Sequence, residues 1–170
     1  MVHKSSLHAV MAETTPVLLI GDSDSDRFPK TSFACYQNIG KAFHYLDMGR
    51  RDLSAHAKGQ PILYGAEELG DWGGDLALVW VHPLTAVKAV ELCHEAGCKR
   101  IWFSFGSANA SALERAADLG IQVLEVGRCP ALFLETRTGP CRIHGWVADV
   151  VGLTDLEPQL HAGPKRRELI

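Results

Sequence analysis

From Thr15 onward, short apolar runs alternate with stretches of helical periodicity, the first run ending at Gly21 and the strongest just before His82-Pro83. Apolar runs of this length have no polar face, so they predict strands covered on both sides. The alternation with helices then predicts a parallel sheet between two helical layers. The order reads β-α-β-β-α-β-α-β. Residues 17–20 (VLLI) form the first strand and end at Gly21, a helix over 31–41 follows, and residues 43–46 are the second strand. Residues 61–63 are a weaker strand, and 76–81 (LALVWV) are the strongest, stopping before His82-Pro83. Pro83 suits the first turn of a helix over 83–96, which Gly97 ends. After a strand at 101–105, Asn109 caps a helix with Ala112, Leu113 and Ala116 inward. Gly120 ends that helix before a strand at 121–126. The expectation is a single α/β domain over residues 16–138 with roughly five parallel strands. It is preceded by a flexible segment (1–15) and followed by a docked extension with a frayed end (139–170).

Composition narrows the function classes. Lys plus Arg number 17 against 20 Asp plus Glu, a formal charge of -3, so no excess of cations exists to hold nucleic acid nonspecifically. The apolar runs are too short to span a bilayer and residues 1–15 have no signal-like apolar core, so a cytoplasmic protein with no membrane role is expected. Five cysteines in a chain of 170 residues, long enough to bury its own core, imply free thiols instead of a disulfide framework.

In an open parallel sheet, ligands bind beyond the carboxyl ends of the strands, so the junctions there carry the functional information. The first reads GDSDSDRFPKTS (residues 21–32): a turn glycine, a helix start, and Ser23, Arg27, Lys30, Thr31 and Ser32 suited to an anion. The same residues also suit a plain strand-to-helix turn capped by Thr31 or Ser32. Asp22, Asp24 and Asp26 resemble the start of a calcium loop. However, Arg27 stands where that loop needs glycine and Phe33 where it needs glutamate. Asp22 as a phosphotransfer nucleophile has only the local string in its favour. After the second strand, Asp47 stands where a carboxylate can hold a nicotinamide-cofactor ribose, whereas Arg50 and Arg51 match a ribose phosphate, as in NADP or coenzyme A. The dinucleotide fingerprint G-x-G-x-x-G has Ser23 and Asp26 at its second and third glycines, which counts against NAD.

Together these junctions resemble the small bacterial and archaeal CoA-binding proteins, over about residues 17–130. The segment KRIWFSFGSANASALERAADLGIQVLEVGRCP (99–130) follows that family's pattern of apolar strand, glycine, Asn, alanine-rich helix and R-C-P, carried by Gly106, Asn109 and Arg128-Cys129-Pro130. Upstream, the 21–32 loop resembles the family's G-x-S loop. YLDMG stands in place of a V-N-P turn, and VWVHP in place of a V-F-R-x-P segment. The resemblance implies a Rossmann-like three-layer fold, related to the CoA-binding domain of the succinyl-CoA synthetase α-subunit, that binds coenzyme A or a short acyl-CoA. It places the pyrophosphate against Gly21, Asp22 and Ser23 and the adenine side near Val81, His82 and Pro83. Lys30, Ser32 and Arg50 or Arg51 would serve the phosphates. Asp47, Met48, Gly106, Asn109 and Cys129 complete the expected site.

The chemistry-bearing residues form no complete catalytic constellation. Cys129 beside Arg128 is either a thiolate able to pair with the CoA thiol or a buried, inert cysteine. Cys129, Cys141 and His144, and likewise Cys93, His94 and Cys98, supply three metal-ligand types at irregular spacing where structural zinc needs four. Phe105 to Asn109 lacks the G-x-S-x-G elbow. The expected function is therefore non-catalytic CoA binding. The alternatives are an NAD(P)-binding oxidoreductase and a redox-responsive protein using Cys129. A protein partner or homo-oligomer remains compatible with each.

Overall fold

A computed structural model describes residues 6–53 and 59–162. It contains six strands: β1 (Val17–Gly21), β2 (Phe43–Asp47), β3 (Ile62–Leu63), β4 (Leu76–Trp80), β5 (Arg100–Ser104) and β6 (Gln122–Gly127). All are parallel, in the order β3-β2-β1-β4-β5-β6. The weak run at 61–63 is thus a sixth, edge strand. Among the described residues five α-helices accompany them: α1 (Ser6–Ala12), α2 (Lys30–Asn38), α3 (Ala86–Glu95), α4 (Ala110–Asp118) and α5 (Pro140–Val150). None is long and apolar enough to cross a membrane.

The pleat sends successive residues of each strand into two separate cores. Leu19, Tyr45, Leu78 and Trp102 face one core with α1, α2 and α5. Leu18, Ile20, Val79 and Phe103 face the other, under α3 and α4. The first core is rich in aromatic rings, with Trp102 edge-on to Phe133 at 5.2 Å and Phe33 edge-on to Phe43 at 4.8 Å. Small side chains, Ala86, Ala89, Ala112 and Ala116, let α3 and α4 approach the second. Asn109 caps α4 as expected, its Oδ1 accepting the Ala112 N–H at 2.8 Å. The expected helix from Pro83 begins as a single 3-10 turn (Pro83–Thr85) and continues as α3.

Two terminal regions have more structure than the sequence suggested. Within residues 1–15, expected to be flexible, Ser6–Ala12 form α1 and bury Leu7 and Met11. The spacing i, i+4 puts both on one face, which packs toward the 3-10 segment Pro130–Phe133. The extension after residue 139 docks through α5, and its continuation is tied to β6, where the Val126 N–H donates to the Gln159 carbonyl at 2.7 Å. The frayed end expected beyond residue 162 lies outside the described residues.

Candidate functional site

Strand order reverses between β1 and β4, so a crevice is expected outside their carboxyl ends. Three junctions form its walls: 21–30 after β1, 81–85 after β4 and 105–109 after β5. The β1 junction closes on itself before α2 starts. Asp22 and Arg27 exchange backbone hydrogen bonds, with the Asp22 N–H donating at 2.6 Å and the Arg27 N–H at 2.9 Å. Asp22, 5% exposed, turns its carboxylate inward to accept from Ser25 N–H (3.4 Å), Ser25 Oγ (2.9 Å) and Thr85 Oγ1 (3.4 Å). The last of these bonds crosses from the β1 junction to the β4 junction, on the two sides of the reversal.

Asp47 does not present itself to a ligand. It is 1% exposed and accepts from Ser23 N–H at 2.9 Å, Ser23 Oγ at 2.5 Å and Gly49 N–H at 3.3 Å. Ser23, expected beside a pyrophosphate, is wholly buried and donates its N–H and its hydroxyl to Asp47. Its Oγ also accepts the Arg51 N–H at 3.2 Å. Asp47 and Ser23 therefore weld the β1 and β2 junctions together. The weld explains Gly49, where a Cβ would lie 2.3 Å from Ser23 Oγ and 2.5 Å from the Asp24 nitrogen. Gly21 is required for the same reason: a Cβ there would lie 2.7 Å from Tyr45 Oη and 2.9 Å from Phe28 Cβ.

The acidic character of the loop is spent internally. Asp24 accepts the Arg50 N–H at 3.2 Å and Asp26 pairs with the Arg51 guanidinium at 2.8 Å. The Arg51 side chain also holds the Asp24 carbonyl at 3.0 Å, so it staples the loop. Arg27, Lys30 and Arg50 differ, since among the described residues none of them makes a salt bridge. Arg27 donates to the Phe105 carbonyl at 3.1 Å, bridging the β1 and β5 junctions. Arg50 lies over the Tyr64 ring at 5.0 Å and Lys30 over Phe28 at 4.5 Å. Met48 is half-buried beside the second core. The small apolar hollow lined by Phe28, Lys30, Tyr45 and Leu53 has room for about one water, at about 10 Å³.

On the far wall the Val81 N–H donates to Ser107 Oγ at 3.1 Å, and His82 Nδ1 accepts the Leu84 N–H at 3.2 Å. Asn109 donates to the Pro83 carbonyl at 2.7 Å while capping α4, so one side chain joins the β4 and β5 junctions. Phe105 adopts φ 44° and Gly106 φ 67° at the tip of β5. A left-handed bulky residue is strained, and such strain gathers at sites that present backbone to a ligand. Sequence reasoning missed Phe105, Ser107 and Thr85; the Phe-Gly pair after a strand is the one signal that pointed to such a turn.

The Cys129 site departs from the thiolate expectation. The thiol is 4% exposed, Ser32 Oγ lies 3.5 Å away, and burial pushes its pKa up. Arg128, expected to favour the thiolate, is committed to Glu125 and to the carbonyls of Leu153 (2.9 Å), Leu156 (3.0 Å) and Glu157 (2.9 Å). His144 does not join Cys129 and Cys141 but stacks on Phe105 at 6.2 Å. Among the described residues no group of three His, Cys, Asp or Glu side chains is placed to hold a metal ion.

Comparison with known proteins agrees with this architecture. No curated protein matches the sequence. A hypothetical protein from Pyrococcus horikoshii OT3 superposes with TM-score 0.58 at 18% identity, covering 74% of this chain and 84% of its own. Prb, a protein redesigned for binding, gives 0.56 at 14% identity, covering 72% and 82%. An uncharacterized protein gives 0.55 at 15% identity, covering 78% and 98%. These likenesses establish the Rossmann-like fold. The sequence model of the CoA binding domain family matches residues 17–135, from the start of β1 past the R-C-P segment, and the chain belongs to that family.

Proposed function

We propose that the chain binds coenzyme A or a short acyl-CoA noncovalently, in the crevice bordered by the β1, β4 and β5 junctions and, on the β1 side, by the adjoining β2 junction. The observation that carries this reading is the division of labour at the rim. Four aspartates are absorbed by the loops' own donors, while among the described residues Arg27, Lys30 and Arg50 make no salt bridge to a carboxylate. A CoA ligand brings a pyrophosphate and a ribose phosphate, and cations suit both. In this reading Arg50 takes the ribose phosphate, Lys30 and the start of α2 take the pyrophosphate, and the Val81–Pro83 backbone borders the adenine. Ser23 and Arg51 shape the site without touching ligand.

Two rival readings lose support. A nicotinamide cofactor wants a free carboxylate at the end of β2, and Asp47 has none of its oxygens to spare. Pairing with the CoA thiol wants an accessible thiolate, whereas Cys129 is buried with a raised pKa.

Thermal denaturation with CoA, acetyl-CoA, NAD, NADP and ATP is the direct test, since a ligand selective for the folded chain raises its melting temperature. CoA is expected to stabilise and NAD is not. By calorimetric titration, Arg50→Ala should weaken CoA by about tenfold, the loss of one charge-assisted contact, and Arg51→Ala by less. Equal CoA affinity in wild type, Arg50→Ala and Lys30→Ala would overturn the assignment.

A further inference from the structure

Helix α5 is apolar on both sides. Toward the protein it presents small residues, Cys141, Gly145 and Ala148, which are buried. Toward solvent it presents Ile143 (70% exposed), Trp146 (65%), Val147 (45%) and Val150 (66%). The spacing i, i+3, i+4, i+7 makes these one unbroken stripe, and Val151, 61% exposed, extends it by another i+4 step. A solvated helix normally puts polar side chains on this face. Here the large apolar residues are outside and the small ones inside, so the stripe is not a core surface that failed to dock.

We infer that this face is the interface of a homodimer, formed by α5 packing antiparallel against α5 of a second copy. Two observations select a second copy as the occupant. The first is area. Scaled by fractional exposure, the five side chains leave roughly 600 Å² open, at the top of the range for a monomer's largest patch and at the lower end of what each partner gives to a specific interface. The second is symmetry. A two-fold axis between Trp146 and Val147 sets Ile143 opposite Val150 and Trp146 opposite Val147, so each large apolar residue of the stripe meets another. The same axis sets His144 opposite Asp149. Glu135, Arg137, Arg142 and Asp149 line a shallow hollow beside Trp146 and supply the polar rim that such interfaces carry.

The inference is independent of the CoA reading and is tested without ligand. Sedimentation velocity of the full chain, from about 5 to 200 µM, should give a species of twice the 18.6 kDa chain mass at the upper concentrations. Trp146→Glu/Val150→Glu changes only exposed side chains, so it should keep the wild-type circular dichroism and sediment as a monomer throughout. Val147→Cys should form an intermolecular disulfide with glutathione disulfide as oxidant, reduced to two glutathione molecules per bridge. Glu91→Cys, on α3, should not. A wild-type chain that stays monomeric at 200 µM, or a dimer that survives the double substitution, overturns the proposal. So does a monomeric wild type that co-sediments with phosphatidylcholine/phosphatidylglycerol vesicles, since the stripe would then serve a lipid surface.

Discussion

Two buried carboxylates stand near opposite ends of the sheet's rim and are satisfied in different ways. Asp47, at the end of β2, accepts from N–H and O–H groups of Ser23 and Gly49, with no cation against it among the described residues. Glu125, in β6 and 0% exposed, accepts from the Arg128 guanidinium and the Gln159 N–H. Neutral donors satisfy Asp47 itself without using a cation; Arg51 is spent on Asp26 beside it, and Arg27, Lys30 and Arg50 make no salt bridge among the described residues. At the other end the arginine is consumed. Arg128 joins a buried carboxylate to three carbonyls of the chain after α5, and so anchors the tail. A buried carboxylate can therefore create a cationic rim or abolish one, depending on what neutralises it.

The largest test of this contrast is Arg128→Ala. It strands Glu125 in the interior without its cation, and breaking a buried pair costs about 3–5 kcal/mol. Urea denaturation should show that loss, with accelerated proteolysis after residue 152, and a cost below about 1 kcal/mol would mean that water replaces the guanidinium at Glu125. Asp47→Ala leaves the Ser23 N–H and hydroxyl unpaired for about 3 kcal/mol, and Asp47→Asn should recover part of it, since an amide oxygen still accepts. If Arg51→Ala, which removes an exposed pair, costs as much as Asp47→Ala, the weld has been assigned to the wrong side chain. Asn109→Ala should cost about 1 kcal/mol through its lost cap, and it should also loosen the β4 junction, read as faster amide exchange at Thr85.

The smallest effect concerns pH, at the amino ends of the strands. Arg100 holds Glu13 at 2.7 Å and Asp75 at 2.6 Å, and its hydrogen bond keeps the Glu13 carboxyl below the usual carboxylate range. A lowered folded-state pKa contributes stability above the unfolded value and loses it as pH falls through the folded one. Acid should therefore destabilise the chain through this group, and Arg100→Gln should flatten the slope of melting temperature below about pH 5. An unchanged slope would show that the partly exposed network contributes nothing measurable.

Much of the fold was legible because a parallel sheet advertises itself. Continuous apolar runs such as LALVWV admit only strands covered on both faces, and Asn109 and Gly97 stand at real helix ends. Helix α1 was not legible, because two buried residues in a seven-residue helix leave no periodic signal until Phe133 supplies the surface. The residues of the rim were legible by place, and their partners within the chain were not. Asp47, Ser23 and Arg51 read as ligand contacts, since carboxylates, hydroxyls and guanidinium groups at strand ends do bind ligands. Their actual partners lie 24 to 28 residues away in sequence, as for Ser23 with Asp47 and Arg51, and no local pattern encodes such a pairing.

What the sequence by itself determined is the alternation of elements, hence the layers, the parallel sheet and the rim where chemistry is placed. Those follow from hydrophobic periodicity and from turn residues, which act over a few positions. Only the tertiary structure decided which charges the rim keeps, that Cys129 lies buried, and that α5 turns its large apolar face outward. Each depends on which groups meet across the fold, because whether a charge is free or spent is a property of its neighbours in space.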